Sequence, residues 1–183
     1  MPRWARAWFV FVLISMVAIV VSGAPPVAAN EARAAERGPS GLPLPRFVSL
    51  KSGRVNMRVG PGTSYAVKWL YTKSGLPMEI IQEYDNWRQV RDADGAEGWI
   101  NQALLSGRRT GIVAPWFKGK ATTLPLLARP REDAQRVAEV EPGAIGEVRE
   151  CDGKWCRMDF NRHTGWIRQA TLWGVYPDEI IEE

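Results

Sequence analysis

One histidine and two cysteines are all that 183 residues offer to soft-metal or thiol–imidazole chemistry. A structural zinc site takes four ligands, and Cys151, Cys156 and His163 fall short of that number. A Ser or Cys nucleophile needs an imidazole beside it. The sole candidate, His163 in "NRHTGW", reads as a surface loop residue ahead of a short strand. A lysine-bearing glycine loop is also missing. "RVGPGTS" at 58–64 follows a strand pattern, carries no Lys and opens no helix, so it is no phosphate cradle. Beyond residue 46 no ten-residue run has a helical stripe. The nearest, "REDAQRVAEV" at 131–140, is short. These absences point away from a metal, a cofactor and an enzyme.

The charge is also unremarkable once the N-terminus is set aside. Arg3 and Arg6 precede a 14-residue apolar run at 8–21 broken only by Ser15, and "SGAPPVAAN" follows. A basic start, a short apolar run and small residues at Val27 and Ala29 have the layout of a secretory signal peptide over 1–29. A membrane span wants about 20 apolar residues, so the expected mature chain has no integral membrane segment. No cysteine ends the run, which speaks against a lipid anchor. Removing those two arginines leaves 22 basic against 20 acidic side chains. That near balance offers no footprint for nucleic acid. Export to the periplasm or cell envelope also sets the redox context, in which Cys151 and Cys156 read as a disulfide. They flank "DGKW", where Asp-Gly signals a hairpin turn, so the two thiols face each other across paired strands.

What the chain does have is a phrase written twice. "GWINQALL" at 98–105 returns as "GWIRQATL" at 165–172. Aligning the halves sets Met57 against Leu126, Pro61 against Pro130, Trp87 against Trp155 and Trp99 against Trp166. A fixed-offset repeat is the mark of a duplicated unit. Within each half, period-two runs such as "VNMRV" (Val55, Met57, Val59) and "LPMEII" (Leu76, Met78, Ile80) lie between Gly, Pro, Asn and Asp turns. That spacing predicts small antiparallel all-β units. The expected organisation is a signal peptide at 1–29, a Pro-containing flexible linker at 30–46, one domain at 47–112 and a second at 113–183. The octets then form each closing strand and the turn after it, with Ile100 and Ile167 in the core and the glycines admitting a close neighbour. Trp116 and Phe117 are expected to pack the copies together. Arg108, Arg109 and the acidic end "PDEIIEE" read as solvated. The first-copy counterparts of the cysteines fall near Tyr84 and at Arg88, so the fold does not require the bond.

The pattern "VNMRVGPGTSYAV…MEII…DNWRQV…GWI" resembles the bacterial SH3-like domain family of exported and cell-envelope proteins. Asn56-Met57-Arg58, Gly60-Pro61-Gly62, Trp87 and Gly98-Trp99-Ile100 carry the resemblance. The second copy keeps "PG", "WCRM" and "GWI" but has "LLARPRED" in place of the first glycine loop. The resemblance implies two tandem small, partly open barrels that bind rather than catalyse, with cell-wall peptides or an envelope protein as partner. The residues themselves nominate a site in the first copy. Pro61-Gly62 suits a type II turn that presents Arg58 and Tyr65, with Tyr84, Asn86 and Trp87 at another hairpin tip and Trp99 on the closing strand. Arg58 would pair a peptide carboxylate, and the aromatics would supply apolar contact. Two alternatives stay open: a spacer or assembly protein without a small ligand, and a cell-wall hydrolase using two of the carboxylates Glu79, Glu83, Asp85, Asp92, Asp94, Glu97, Asp152 and Asp159. If the leader is cut as expected, N-terminal sequencing of exported protein begins at Asn30; recovery of residues 8–21 in the exported form would refute it.

Overall fold

Closely spaced turn residues cut this chain into short strands, and the computed structural model describes residues 36–120 and 122–182 as strands joined by turns. The expected signal peptide and the start of the linker lie outside the described residues. Before the first copy come β1 (Glu36–Arg37) and β2 (Pro43–Leu44). The first copy holds β3 (Arg46–Leu50), β4 (Val55–Arg58), β5 (Val67–Tyr71), β6 (Pro77–Tyr84), β7 (Trp87–Arg91), β8 (Glu97–Asn101) and β9 (Leu105–Ser106). The second holds β10 (Thr110–Val113), β11 (Leu124–Leu127), β12 (Arg136–Val140), β13 (Ile145–Asp152), β14 (Trp155–Asp159), β15 (Thr164–Arg168), β16 (Leu172–Trp173) and β17 (Ile180–Ile181). "REDAQRVAEV" accordingly ends in a strand, not a helix.

The duplication is visible in the pairing. One sheet runs β5-β4-β8-β7-β6-β3-β9 and the other β12-β11-β15-β14-β13-β10-β16, the same order with each strand replaced by its counterpart. Register follows too. Arg58 faces Trp99 where Leu127 faces Trp166, and both β6–β7 and β13–β14 slip by a bulge at the same place, after Ile80 and after Val148. Each copy has its own core, built from Val55, Met57, Met78, Ile80, Val90 and Ile100 in the first and Leu126, Val148, Met158 and Ile167 in the second. The octets form the closing strand and a single 3₁₀ turn, as the sequence predicts. Val59 departs from its alternation: β4 ends at Arg58, and Val59 is exposed.

Cys151 and Cys156 are bonded to each other, as cross-strand partners with Cα atoms 4.1 Å apart. At the equivalent register point of the first copy stands the pair Glu83↔Arg88. Its side chains form an ion pair at 3.2 Å, both almost wholly buried. Glu83 also accepts from the Ser40 N–H and hydroxyl, both at 2.8 Å, and from Arg46 at 2.6 Å. So residues 36–46, expected as flexible linker, are partly held: β1 pairs β2, and Ser40 is bonded to a carboxylate that needs donors. Burial alone would raise the Glu83 carboxyl, but the Ser40 N–H, the Arg46 guanidinium and the Ser40 hydroxyl outweigh it and lower the value to about 2.

The two copies meet on aromatic side chains, beside an ion pair of the second copy whose members the sequence reading placed in solvent. Arg109 makes a two-pronged ion pair with Glu179, at 2.8 and 3.0 Å, and donates to the Gly174 carbonyl at 2.9 Å. Phe47 of the first copy packs edge-on to Trp173 at 5.3 Å and against Tyr176 at 4.7 Å. The Tyr176 hydroxyl donates to Glu79 at 3.1 Å, and burial, then the charge of Glu79, push its phenol upward. Three expectations are corrected here. Arg109 is not a solvated linker charge, because a carboxylate 70 residues away is aimed at it. The acidic end is not a free tail, because Glu179 answers Arg109 and β17 pairs β13. Trp116 and Phe117, still 52% and 39% exposed, are not what joins the copies.

Gly174, with φ +118°, lies beside this seam, where an imagined Cβ would stand only 2.3 Å from the Thr110 carbonyl oxygen of its own copy and 3.2 Å from Pro77 of the first. Gly174→Ala combines backbone strain with a clash, and is expected to cost about 2 kcal/mol or more in chemical denaturation. Glu83 gives a pH prediction. Its folded value lies below the ordinary 4.5, so its contribution is complete above that pH and is lost as pH falls from about 4.5 to about 2. Glu83→Gln should therefore be destabilised at pH 7, with the gap to wild type closing toward pH 2. A gap independent of pH would rule out the ionised carboxylate as its source.

Candidate functional site

On β7 and β8 burial alternates strictly. Arg88, Val90, Gly98 and Ile100 point inward, leaving Trp87, Gln89, Arg91, Glu97, Trp99 and Asn101 on the outer face. Register then arranges the outer residues in rows. Tyr84 lies opposite Trp87, and Trp87 opposite Asn101. In the next row Gln82, Gln89, Trp99, Arg58 and Val67 follow one another across five strands. A third row, Glu79, Arg91 and Glu97, is closed by ion pairs of Arg91 at 3.2 and 2.8 Å. Of the residues nominated from sequence, Tyr84, Trp87, Trp99 and Arg58 thus share one face.

Tyr65 joins them from the loop after β4. The Arg58 guanidinium donates to the Tyr65 carbonyl at 2.6 Å. The Tyr65 ring, 47% exposed, lies flat over the glycines: a Cβ on Gly60 would stand 2.5 Å from it, and one on Gly62 3.2 Å. The expected type II turn is not formed. It requires a positive φ at its third residue, and Gly62 is not among the glycines with positive φ. The chain instead turns through a Gly62 N–H to Gly60 carbonyl bond of 3.0 Å. These glycines are there for the ring above them. Asn86 is drawn aside: its carbonyl and side-chain oxygens accept from Gln102 at 2.8 and 2.7 Å.

The second copy repeats the loop without its aromatic. Arg131 N–H bonds the Arg129 carbonyl as Gly62 bonds Gly60, and Ala134 N–H bonds Arg131 as Tyr65 bonds Gly62. With alanine where the ring would be, arginines replace both glycines. Trp155, counterpart of Trp87, is buried under the Arg168 guanidinium at 4.3 Å.

The carboxylates considered for hydrolysis are largely committed to partners. Glu79 holds Arg91 and Tyr176, and Glu97 holds Arg91. Asp92 accepts from Tyr71 at 2.7 Å and from two backbone N–H groups of its own turn. Burial, then that Asp92 hydrogen bond, push the Tyr71 phenol upward. Asp159 is lowered by Arg149 first and the Asn161 N–H second. His163 is exposed in the β14–β15 turn. Among the described residues no group of three His, Cys, Asp or Glu side chains is placed to hold a metal, and no helix is long and apolar enough to cross a membrane.

Sequence reading missed a cleft of about 1000 Å³ between the copies, walled by Phe47, Leu172, Trp173 and Val175 with Arg91 and Lys154 at its margin. None of the residues nominated for ligand binding lines it, though Glu79 and Asp92, two of the carboxylates considered for hydrolysis, do. A signal was available: "WGVY" at 173–176 carries two aromatics about a glycine where the first copy has "SGRR". A second groove of about 340 Å³, lined by Trp69 and Leu70 and by Pro115 and Lys118, also lies between the sheets.

No curated protein matches the chain. The solved structure of NlpC2 from Trichomonas vaginalis aligns with 70% of this chain and 48% of its own length, at 13% identity and a TM-score of 0.30. The chain spans about half of that protein, and a likeness of this degree carries no argument. The bacterial SH3 domain matches twice, at residues 51–107 and 120–174. Those segments fall on the two sheets of identical strand order and cover more than half of the sequence; the chain belongs to the bacterial SH3 domain family, with two copies in tandem.

Proposed function

We propose that this is an exported, non-catalytic binding protein of the cell envelope, whose first SH3 copy takes an extended peptide, from the wall or from an envelope protein. The observation that carries the reading is the outer face of the first sheet. There Tyr84, Trp87 and Trp99 lie in successive rows beside Arg58, and Tyr65 is seated on two glycines at the margin. Aromatics held in fixed places and flanked by a guanidinium are the usual anchors of peptide recognition. Arg58 has five N–H donors, and its bond to the Tyr65 carbonyl leaves others for a ligand carboxylate. The disulfide suits an oxidising compartment.

A spacer role is the second reading, favoured by the seam: Phe47 against Trp173 and Tyr176, with the Tyr176 bond to Glu79, ties the copies to each other. The two readings separate on one measurement. Tyr65→Ala with Trp87→Ala should weaken retention by purified wall or by envelope extract more than tenfold, the scale of losing two aromatic anchors worth about 2 kcal/mol. Equal retention, with the double variant folded, would reject the face and leave the spacer.

A further inference from the structure

The second copy shows what this fold requires of its end strand, and the first copy departs from it toward apolar residues at every exposed position but one, where Lys68 stands level with Val137. β5 and β12 are the terminal strands of their sheets, so each has an edge without a strand partner. In β5 four consecutive residues, 67–70, are exposed, with Trp69 and Leu70 at the rim of the groove shared with the second copy. Such an edge is usually protected with charge. β12 carries Arg136 and Glu139 there, whereas β5 carries the single charge Lys68 among Val67, Trp69 and Leu70. The registers set Val67 against Arg136, Trp69 against Ala138 and Leu70 against Glu139. The matching loop bonds set Val59 against Ala128 and Tyr65 against Ala134. Those five first-copy side chains, 41–57% exposed, account for five of the eleven large apolar residues exposed among those described. All five become Ala, Arg or Glu in the second copy, where the strand forms in the same register. The fold does not need them.

Charge changes along with them. Residues 37–78 contain seven Lys and Arg and no Asp or Glu. Around β5, Arg58 and Lys68 donate to backbone carbonyls, of Tyr65 and Glu97, rather than to carboxylates. The second-copy arm neutralises itself, with Arg131 on Asp133, Arg136 on Glu139 and Glu132 on Arg168. The five apolar side chains offer on the order of 500 Å², short of the roughly 800 Å² per partner of a stable dimer. That area fits a single strand.

We propose that β5 is an open docking edge that takes up an extended acidic segment of a partner protein, which adds as a further strand to the first sheet. This rests on the binding reading above and names its partner class. Main-chain bonds to the edge would give affinity, and apolar side chains on one face of the added strand would meet Trp69, which lies level with Met57. Acidic side chains on the opposite face would meet Arg58 and Lys68, whose hydrogen bonds go to backbone carbonyls rather than to carboxylates.

The test uses the mature protein and a capped eight-residue peptide alternating Glu with Val. Its Lys counterpart and a form N-methylated at alternate residues serve as controls. Calorimetry should find the Glu peptide at least tenfold tighter than the Lys peptide and weakened by salt, with binding lost on N-methylation. The variant V67R/W69A/L70E, which copies residues the second copy already folds with, should lose it too. Equal affinity for Glu and Lys peptides, no binding at millimolar peptide, or binding that survives in this variant overturns the proposal. So does concentration-dependent dimerisation that the variant abolishes, since the edge would then be covered by a second copy. If Trp69 governs retention on purified wall while the peptide does not bind, the protein partner is wrong. Retention lost in Tyr65→Ala with Trp87→Ala but kept in V67R/W69A/L70E would sink the β5 edge and leave the broader reading standing.

Discussion

In each copy the two-stranded arm is joined to the rest of its sheet through one pair of residues, and that joint depends on a missing side chain. Arg58 meets Trp99, and Leu127 meets Trp166. A Cβ on Gly98 would lie 2.6 Å from Met57 Cγ and 2.7 Å from the Arg58 carbonyl oxygen; on Gly165 it would lie 2.8 Å from both Leu126 Cγ and the Leu127 carbonyl oxygen. With any other residue there, the strands could not approach, and the arm would part from the core that Met57 and Leu126 help fill. The twice-written "GWI" is therefore a joint. Glycine admits the neighbour, tryptophan lies against it on the outer face, and isoleucine closes the core below.

What lay open in the sequence was whatever local chemistry decides. The repeat, the alternating strands, the buried Ile100 and Ile167 and the hairpin around Asp152-Gly153 each follow from residues within a few positions of one another. The seam did not show. Arg109 and Glu179 are 70 positions apart, and Phe47 meets Trp173 and Tyr176 across the whole chain, so no periodic signal links them. Trp116 and Phe117 looked like packing residues because they are large and lie between the copies; position in the sequence stood in for position in space. Arg58, Tyr84, Trp87 and Trp99 do share one surface. Yet the glycine loop was read as a backbone device when it is a seat for Tyr65, a distinction that only the ring's position reveals.

Having two copies in one chain makes each a control for the other. Where they agree, at the joint and in strand order, the fold is dictating. Where they differ, at positions 60, 62 and 65 and along β5, something else is. Local rules and the global fold point the same way in β12 and conflict in β5, and such conflicts are where function is to be sought.

The same comparison bears on how the chain matures. At one point of the shared fold the first copy uses a buried ion pair, Glu83 with Arg88, and the second a covalent bond, Cys151 with Cys156. An ion pair forms wherever the hairpin forms, whatever the thiol potential around it. A disulfide waits for an oxidant. The first half of the molecule, the half that carries the aromatic face and the open edge, is thus able to complete its central hairpin without an oxidant, while the hairpin of the second half is locked only where one is present.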